Sequence, residues 1–384
     1  MTSFRVVGIA ISVFSLIGLA APPAGAQALS ADVSSCSSTV PSPSPGRVGN
    51  QLSGVISLSA DDAWAAGGSS TPVGIPRSLQ TVPLLMRWNG TAWHRINDGL
   101  AGPGVLSALT AVSPRDVWAV GHQGSNEAGT PLIEHWNGTA WAVIPSPVID
   151  QGYLLGAAAA SSNDVWAVGI RLGPVSYSLI EHWNGSRWRV IHSPNPGVYY
   201  NELDSVAVVS SRDVWAVGSS QSNETSAGIL AHWDGSRWTL APNPVTGQPN
   251  TILRGVAAQG AHGIWAVGQT RSADGSVVRT LIEHFNGHMW KVVRSASPTQ
   301  QSRLNAVAVA GGIVWAVGLQ NDGVTNKTLV ERLDHGRFSL VVSPNSGSGD
   351  NDLEGVAASI DGSAWAVGSD QGAAKGESLV LGLC

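Results

Sequence analysis

The chain has 384 residues, of which 43% are hydrophobic and only 12% are charged, and it contains 46 glycines and 16 tryptophans. This composition is typical of buried strands joined by tight turns, not of a disordered chain. The formal net charge is -5. The cationic surface that drives binding to nucleic acid is therefore missing, and we expect no nucleic-acid partner.

The N-terminus has the pattern of an export signal. Arg5 precedes an apolar run over residues 6–21, and the small residues Ala24, Gly25 and Ala26 follow it. This pattern predicts a signal peptide over residues 1–26, cleaved after Ala26. The run is too short for a membrane span, and no other stretch approaches twenty apolar residues. We therefore expect a secreted, extracellular protein with no membrane span after the signal is removed.

A unit of about fifty residues repeats along the rest of the chain. It is clearest between Ala111 and Trp141, which contains Asp-Val-Trp-Ala-Val-Gly and then Glu-His-Trp-Asn-Gly-Thr-Ala-Trp. The first tryptophan recurs at spacings of 54, 48, 49, 50, 50 and 50 residues, as Trp64, Trp118, Trp166, Trp215, Trp265, Trp315 and Trp365. Seven repeats of this length predict an all-β, seven-bladed β-propeller with one four-stranded antiparallel blade per repeat.

The second repeat shows the four predicted strands of a blade. Strand A is 106–112, strand B is 117–121, strand C is 131–136 and strand D is 141–144. These runs are apolar on both faces, as expected when neighbouring blades cover each sheet. Small residues two places after a leucine predict that strand A lies nearest the axis, where space is least: Gly54, Ala108, Gly156, Ser205, Gly255, Ala306 and Gly355.

The last repeat is incomplete. It ends in strand C at Cys384, whereas residues 36–43 align with a strand D that has no blade of its own. We therefore predict a flexible lead over 27–35 and a single domain over 36–384, whose N-terminal strand completes the seventh blade. Cys36 and Cys384 would then lie at the two ends of one hairpin turn, about 5 to 7 Å apart, which predicts a disulfide in an exported chain.

The two repeated motifs, Asp-Val-Trp-Ala-Val-Gly and Glu-His-Trp-Asn-Gly-Thr/Ser-x-Trp, resemble those of a group of exported bacterial repeat proteins that look like Kelch-type and sialidase-type propellers. The resemblance covers about residues 36–384. It implies the propeller architecture but little about activity, because propellers host lectins, scaffolds, lyases and hydrolases. The Ser-x-Asp opening of the sialidase aspartate box is missing, so no catalytic residue is carried over.

Residues that recur in most blades are best explained by something that every blade needs. This applies to the tryptophans and to two repeated polar positions, which are His135, His182, His232 and His284, and Asp62, Asp116, Asp164 and Asp213. No three of these residues show the spacing of metal ligands, so we expect no metal site and no cofactor. The oxygen-rich stretch from Asp350 to Glu354 lacks the glycine and spacing of a calcium loop.

Function is expected where the repeats differ. In a propeller the B-to-C loops and the blade-to-blade connections share one face, which we call the variable face because its loops are long and diverse here. All four tyrosines of the chain belong to the third repeat or its borders and could form a binding platform on this face: Tyr153, Tyr177, Tyr199 and Tyr200.

A second candidate set follows the strand A leucines and should lie near the tunnel mouth. Its members are Ser53, Ser107, Leu155, Asp204, Arg254, Asn305 and Glu354, with Glu202, Arg303 and Asp352 just upstream. Such a mixture of acids and arginines could hold a polar ligand or provide a general acid and base. It could equally be a wet rim of ion pairs that neutralise one another.

The leading functional hypothesis is a monomeric, non-enzymatic propeller that binds a glycan or a protein at the variable face. Its predicted ligand-binding residues are Tyr153, Tyr177, Tyr199, Tyr200, Asp204 and Arg254. The alternative is a glycan-cleaving hydrolase or lyase that uses the tunnel-mouth residues Glu202, Asp204, Asp352, Glu354, Arg254 and Arg303. A third possibility is a purely structural module of the cell surface.

Overall fold

The computed structural model describes residues 37–74, 78–97, 102–124, 129–148, 150–223, 225–245, 250–334, 336–372 and 375–384. The predicted signal peptide over 1–26 and the lead over 27–35 lie outside these ranges and stay predictions. Within the ranges the chain forms 28 strands and no helix. Accordingly, no described helix has the length and apolarity needed to cross a bilayer.

The strands form seven four-stranded antiparallel sheets, which confirms the seven-bladed β-propeller. Blade 1 consists of β2 Gly49–Ser59, β3 Asp62–Val73, β4 Ser78–Trp88 and β5 Trp93–Ile96. Blade 2 consists of β6 Gly104–Ser113, β7 Asp116–Gln123, β8 Thr130–Trp136 and β9 Trp141–Val143. Blade 3 consists of β10 Gly152–Ser161, β11 Asp164–Arg171, β12 Tyr177–Trp183 and β13 Trp188–Val190. Blade 4 consists of β14 Tyr200–Ser210, β15 Asp213–Ser222, β16 Thr225–Trp233 and β17 Trp238–Leu240. Blade 5 consists of β18 Thr251–Ala258, β19 Ile264–Arg271, β20 Val278–Phe285 and β21 Trp290–Val293. Blade 6 consists of β22 Ser302–Ala310, β23 Ile313–Asn321, β24 Asn326–Asp334 and β25 Arg337–Leu340. Blade 7 consists of β26 Asn351–Ala358, β27 Ala364–Asp370, β28 Glu377–Leu383 and β1 Ser37–Thr39.

The N-terminal strand completes the seventh blade, as predicted. Strand β1 pairs with β28 in antiparallel register, with Ser38 opposite Gly382. The pairing continues one residue further, because the Val40 amide donates to the Val380 carbonyl at 2.9 Å. The blade that would otherwise expose the edge of β28 is thereby closed by the other end of the chain.

Strand A of each blade is the innermost strand, where neighbouring blades come into backbone contact. A Cβ atom on Gly54 would lie 3.0 Å from the Cα of Ala108, and one on Gly255 would lie 3.0 Å from the Cα of Ala306. Glycine, alanine or serine at this position is therefore a steric requirement of the ring.

Aromatic side chains join six of the seven pairs of neighbouring blades. In these pairs the strand B tryptophan of one blade packs against aromatic residues that flank the C-to-D turn of the following blade. At the boundary between blades 6 and 7, Trp315 instead belongs to a hydrophobic cluster with Leu381 and Leu383. Trp64 of blade 1 lies 5.6 Å from Trp136 and 5.4 Å from Trp141 of blade 2, measured between ring centroids. We call this contact the tryptophan clasp. The clasp between blades 7 and 1 closes the ring, since Trp365 lies 5.0 Å from Trp88 and 5.3 Å from Trp93.

The repeated histidines and aspartates hold this tryptophan in place. Asp116 accepts hydrogen bonds from His135 at 2.8 Å and from the indole of Trp118 at 3.1 Å. His135 also stacks on Trp118, with ring centroids 4.1 Å apart. In blade 1, Arg87 replaces the histidine and pairs with Asp62 while lying over Trp64. The shared contacts give these positions a role in every blade that does not depend on a ligand.

Buried glutamates lie on strand C between blades. Glu181 accepts a hydrogen bond from Ser146 at 2.8 Å, and burial raises its pKa to about 7. Glu283 is also fully buried, and neither carboxyl oxygen has a hydrogen-bond partner among the described residues. Burial likewise raises the pKa of Glu283 to about 7. This carboxyl therefore stays protonated inside the folded protein well above the pH at which an unfolded glutamate ionises.

The disulfide prediction is open to a direct test. Cys384 is disulfide-bonded, but its predicted partner Cys36 lies outside the described residues. We expect non-reduced peptide mapping to recover one linked peptide that contains both cysteines, because the two align with the ends of one hairpin turn. Two free thiols in the unreduced protein would contradict the pairing.

Removal of Trp93 should weaken the ring at its closure. Trp93 is only 4% exposed and forms part of the clasp between blades 7 and 1. We expect Trp93→Ala to lower the free energy of unfolding by roughly 3 to 5 kcal/mol, the usual cost of truncating a buried aromatic residue. Urea denaturation measures this, with the exposed Met289→Ala as control. Equal midpoints for the two variants would show that the clasp contributes little.

Glu283→Gln should change how stability depends on pH. The folded pKa of Glu283 is about 7 against an ordinary value of 4.5, so this residue stabilises the fold fully below pH 4.5 and loses that contribution as pH rises to 7. The glutamine variant does not ionise and should gain about 3 kcal/mol relative to the parent between those limits. Thermal unfolding at pH 5 and pH 8 tests this, with the exposed Glu377→Gln as control. Parallel curves for the parent and Glu283→Gln would contradict the assignment.

Candidate functional site

Every innermost strand carries a β-bulge at the residue that follows its leucine. In blade 4, for example, the pairing with β15 passes from Leu203 directly to Ser205 and leaves Asp204 out of the register. The extra residue of a bulge is unpaired, so its side chain departs from the regular alternation of side chains between the two faces of the sheet. The seven bulged residues all line one axial cavity of about 210 Å³: Ser53, Ser107, Leu155, Asp204, Arg254, Asn305 and Glu354.

The cavity is layered along the axis. After the bulged residue each strand contributes its small residue and then an aliphatic side chain, so that a second ring follows the first: Val55, Leu109, Ala157, Val206, Val256, Val307 and Val356. The bulged ring comes earlier in each strand and lies toward the end where the innermost strands begin. The blade-to-blade connections enter at that end, so the charged residues face the variable face.

Charge is concentrated on one side of the bulged ring. Blades 1 to 3 contribute two serines and a leucine, whereas blades 4 to 7 contribute Asp204, Arg254, Asn305 and Glu354. The site is therefore a polar half-ring spanning four neighbouring blades. This asymmetry arises from sequence differences at a position whose backbone geometry is the same in all seven blades.

In blade 4 two carboxyl groups and a phenol form one hydrogen-bonded group. Glu202 and Asp204 are hydrogen-bonded to each other, and Tyr200 donates its hydroxyl to Glu202. Burial, the charge of Glu202 and this hydrogen bond raise the pKa of Asp204 well above its usual value, while Arg254 acts in the opposite direction. Asp204 therefore keeps its proton to a higher pH than an ordinary aspartate does. Burial and the Glu202 carboxylate also raise the pKa of Tyr200.

Blade 7 contributes the other acids of the half-ring. Burial and the charge of Asp352 raise the pKa of Glu354 to about 7, against the opposing effects of Arg303 and Arg254. Asp352 is held by the hydroxyl of Ser369 at 2.8 Å. Glu354 can therefore exchange a proton near neutral pH while facing the cavity.

Neither Arg254 nor Arg303 forms an ion pair with a described carboxylate. The Nε atoms of Arg254 and Arg303 are buried and form no hydrogen bond within the described part of the chain. No carboxylate oxygen in those same ranges lies within 4.0 Å of either guanidinium. Asn305 is similar, because its Nδ2 donates to the Leu353 carbonyl at 2.9 Å while its buried Oδ1 has no described partner. The predicted rim of ion pairs does not form here.

The four predicted tyrosines differ in their surroundings. Tyr200 begins β14 and is bonded to Glu202, whereas Tyr153 lies in β10 with its ring 4.6 Å from His122. Tyr177, expected in a loop, is the first residue of β12. Tyr177 and Tyr199 are 50% and 54% exposed, and the Tyr199 carbonyl accepts a hydrogen bond from Ser176 at 3.1 Å. Two of the four predicted rings thus remain available at the surface.

The acidic stretch before β26 is used by the protein itself. Asp350 accepts a hydrogen bond from the Asn326 amide at 2.7 Å, and Asn351 donates to the carbonyls of Ser346 and Gly349. In the described ranges no group of three or more His, Cys, Asp or Glu residues has an arrangement that could hold a metal ion.

Sequence reasoning missed one neighbouring residue, Arg271. It is the last residue of β19, and its charge acts on Arg303 of the next blade. The repeat alignment gives no signal for Arg271, because it shows only that this residue lies at the end of strand B. The packing of blades 5 and 6 brings Arg271 toward the tunnel mouth.

Comparison with known proteins shows the fold. No family model matches the chain, and neither does any curated protein sequence. Among solved structures, YCF48 bound to a D1 peptide superposes with a TM-score of 0.53 at 13% identity, covering 90% of this chain and 95% of that one. A polysaccharide lyase, an ulvan lyase bound to -[GlcA(1-4)Rha3S]-, superposes with a TM-score of 0.56 at 10% identity, covering 87% of this chain and 93% of that one. At these identities the likeness is one of fold alone.

Proposed function

We propose that this chain is a secreted protein that binds a glycan at the variable-face end of its axial cavity. The observation that carries the proposal is the polar half-ring, whose Arg254, Asn305 and Asp204 each present a buried polar atom without a described partner. Buried polar groups are normally satisfied. Their missing partners are best supplied by a ligand rich in hydroxyl groups.

The chemistry of the half-ring favours a sugar over an apolar peptide. Carboxyl, amide and guanidinium groups together offer donors and acceptors for vicinal hydroxyls. The exposed rings of Tyr177 and Tyr199 lie at the blade 3 to blade 4 border and could stack on further sugar units. The two solved neighbours are bound to a peptide and to a saccharide, so a propeller of this shape is compatible with either ligand. The resemblance to Kelch-type and sialidase-type propellers is part of this proposal.

Binding is favoured over hydrolysis by the placement of the acids. Two carboxyl groups about 5 to 10 Å apart would be needed on either side of a glycosidic bond. Glu202 and Asp204 instead contact each other through a side-chain hydrogen bond, which is closer than that separation. Arg254, which was a candidate in both functional hypotheses, is better suited to holding a ligand than to transferring a proton, because a guanidinium keeps its charge.

A second candidate function is cleavage of a glycan, and Glu354 is the observation that favours it. A carboxyl with a pKa of about 7 that faces the cavity is suited to act as a general acid or base. Release of new reducing ends or unsaturated products from a bound glycan, lost in Glu354→Gln, would establish this function in place of simple binding.

Binding should depend on the half-ring and on the exposed tyrosines in different degrees. We expect a glycan array to identify ligands of the secreted protein, and Arg254→Gln to weaken their binding about ten- to a hundredfold, because it removes charge-assisted hydrogen bonds. Tyr199→Ala should weaken longer oligosaccharides more than short ones, since it removes one stacking surface.

Isothermal titration with the best array ligand measures both effects. Asp234→Asn, in a C-to-D turn on the opposite face, is the control and should bind as the parent does. Unchanged affinity in Arg254→Gln would exclude the half-ring as the binding site. Absence of any glycan ligand, with capture of a defined acidic or neutral peptide, would replace the glycan by a peptide.

A further inference from the structure

Three arginines extend from the axial cavity into a groove between blades 5 and 6. The groove has a volume of about 180 Å³, and Arg271 of β19 and Arg303 of β22 line it together with Gln269, Gln301, Asn321 and Asn326. Arg254 lies in the adjoining axial cavity. Burial has the largest effect on the pKa of Arg303 and lowers it. The charges of Arg254 and Arg271 lower it further, whereas the charges of Glu354 and Asp352 raise it. The three guanidinium groups therefore lie close enough to repel one another, with the two acids of blade 7 nearby.

None of these three arginines forms an ion pair within the described residues. Arg87 and Arg171, by contrast, pair with Asp62 and Asp150. In the described ranges none of the three arginines has a carboxylate oxygen within 4.0 Å. Arg303 thus lies beside two like charges and forms no ion pair within the described residues, an arrangement that is unfavourable in a partly buried site. The arrangement is explained if an anion from outside completes it.

The groove is held open by the backbone and not by the arginines themselves. The Val278 amide donates to the Gln300 carbonyl at 2.8 Å, and the Asn321 amide donates to the Gln301 carbonyl at 2.8 Å. These bonds join the connection between blades 5 and 6 to strands of both blades. The guanidinium groups thus lie on a framework that is already assembled before a ligand arrives, which lowers the entropy cost of binding.

We infer that Arg271 and Arg303 form an anion subsite that binds a carboxylate or sulfate group of the glycan, with Arg254 contacting the adjoining sugar. This inference rests on the proposed function and specifies its ligand class as an acidic oligosaccharide. The planar fork of a guanidinium matches both oxyanions with two parallel hydrogen bonds. The amide side chains of Gln269 and Asn326 provide neutral hydrogen-bonding groups for the sugar hydroxyls beside them.

Three oligosaccharides of matched length separate the two anions and the neutral case. We propose to titrate the secreted protein with an oligogalacturonate, a sulfated galactan oligosaccharide and a neutral cello-oligosaccharide. We expect one of the two acidic ligands to bind at least tenfold more tightly than the neutral one, and its affinity to fall with added salt. The preferred acidic ligand identifies the group as carboxylate or sulfate.

Variants then place the anion in the groove. Arg271→Gln and Arg303→Gln should each weaken the acidic ligand about ten- to a hundredfold and leave weak neutral binding unchanged. Arg279→Gln is the matched control, because Arg279 is exposed and follows the groove residue Val278 on β20, so its side chain points to the other face of the strand. Arg271 is exposed, so its variant is expected to fold even if Arg303→Gln does not.

The outcomes separate this inference from the proposed function. Equal binding of acidic and neutral glycans, or equal affinities in Arg271→Gln and Arg279→Gln, would overturn the anion subsite while glycan binding stands. Lack of binding to all three oligosaccharides, together with tight binding of an acidic peptide that both groove variants weaken, would overturn the glycan assignment and support the subsite.

Discussion

The tryptophan clasp is the contact on which the rest of the molecule depends. A buried indole from one blade is packed edge-on between aromatic residues of the next blade, and such pairs contribute about 0.5 to 1.5 kcal/mol beyond the area they bury. The contact recurs at six of the seven blade boundaries, where it packs neighbouring sheets against each other. The contact of Trp365 with Trp88 and Trp93 joins the last blade to the first and so helps to close the circle.

Ring closure in turn creates a place where sequence can vary without loss of the fold. The bulge in each innermost strand presents one side chain to the axis in the same way in every blade. Ser53 and Asp204 occupy equivalent positions in the ring. Ser53 is a small, uncharged part of the cavity wall, whereas Asp204 interacts with the carboxyl group of Glu202. Burial of charges such as Arg254 and Arg303 is unfavourable on its own, and departures of this kind from an otherwise regular pattern are typical of functional sites.

Much of this architecture could be predicted from the sequence, because repetition gives the same signal seven times. The period near fifty, the small residues of strand A and the incomplete last repeat together predicted the blade number and the closure by β1. The site was predicted less completely. Asp204 and Arg254 were identified from their repeat position, but the contact of Tyr200 with Glu202 and the approach of Arg271 to Arg303 depend on side-chain packing between neighbours, which periodicity does not encode.

The pairing of Ser38 with Gly382 makes the chain a circle that is cut at one point in its outer rim. Strand β1 can pair only after β28 has been synthesised. This longest-range pairing in the described structure is therefore also the last one that can form during synthesis. Strands β1 and β28 belong to the same blade. New ends opened in a connection between two other blades would move the break in the chain around the circumference without altering the cavity.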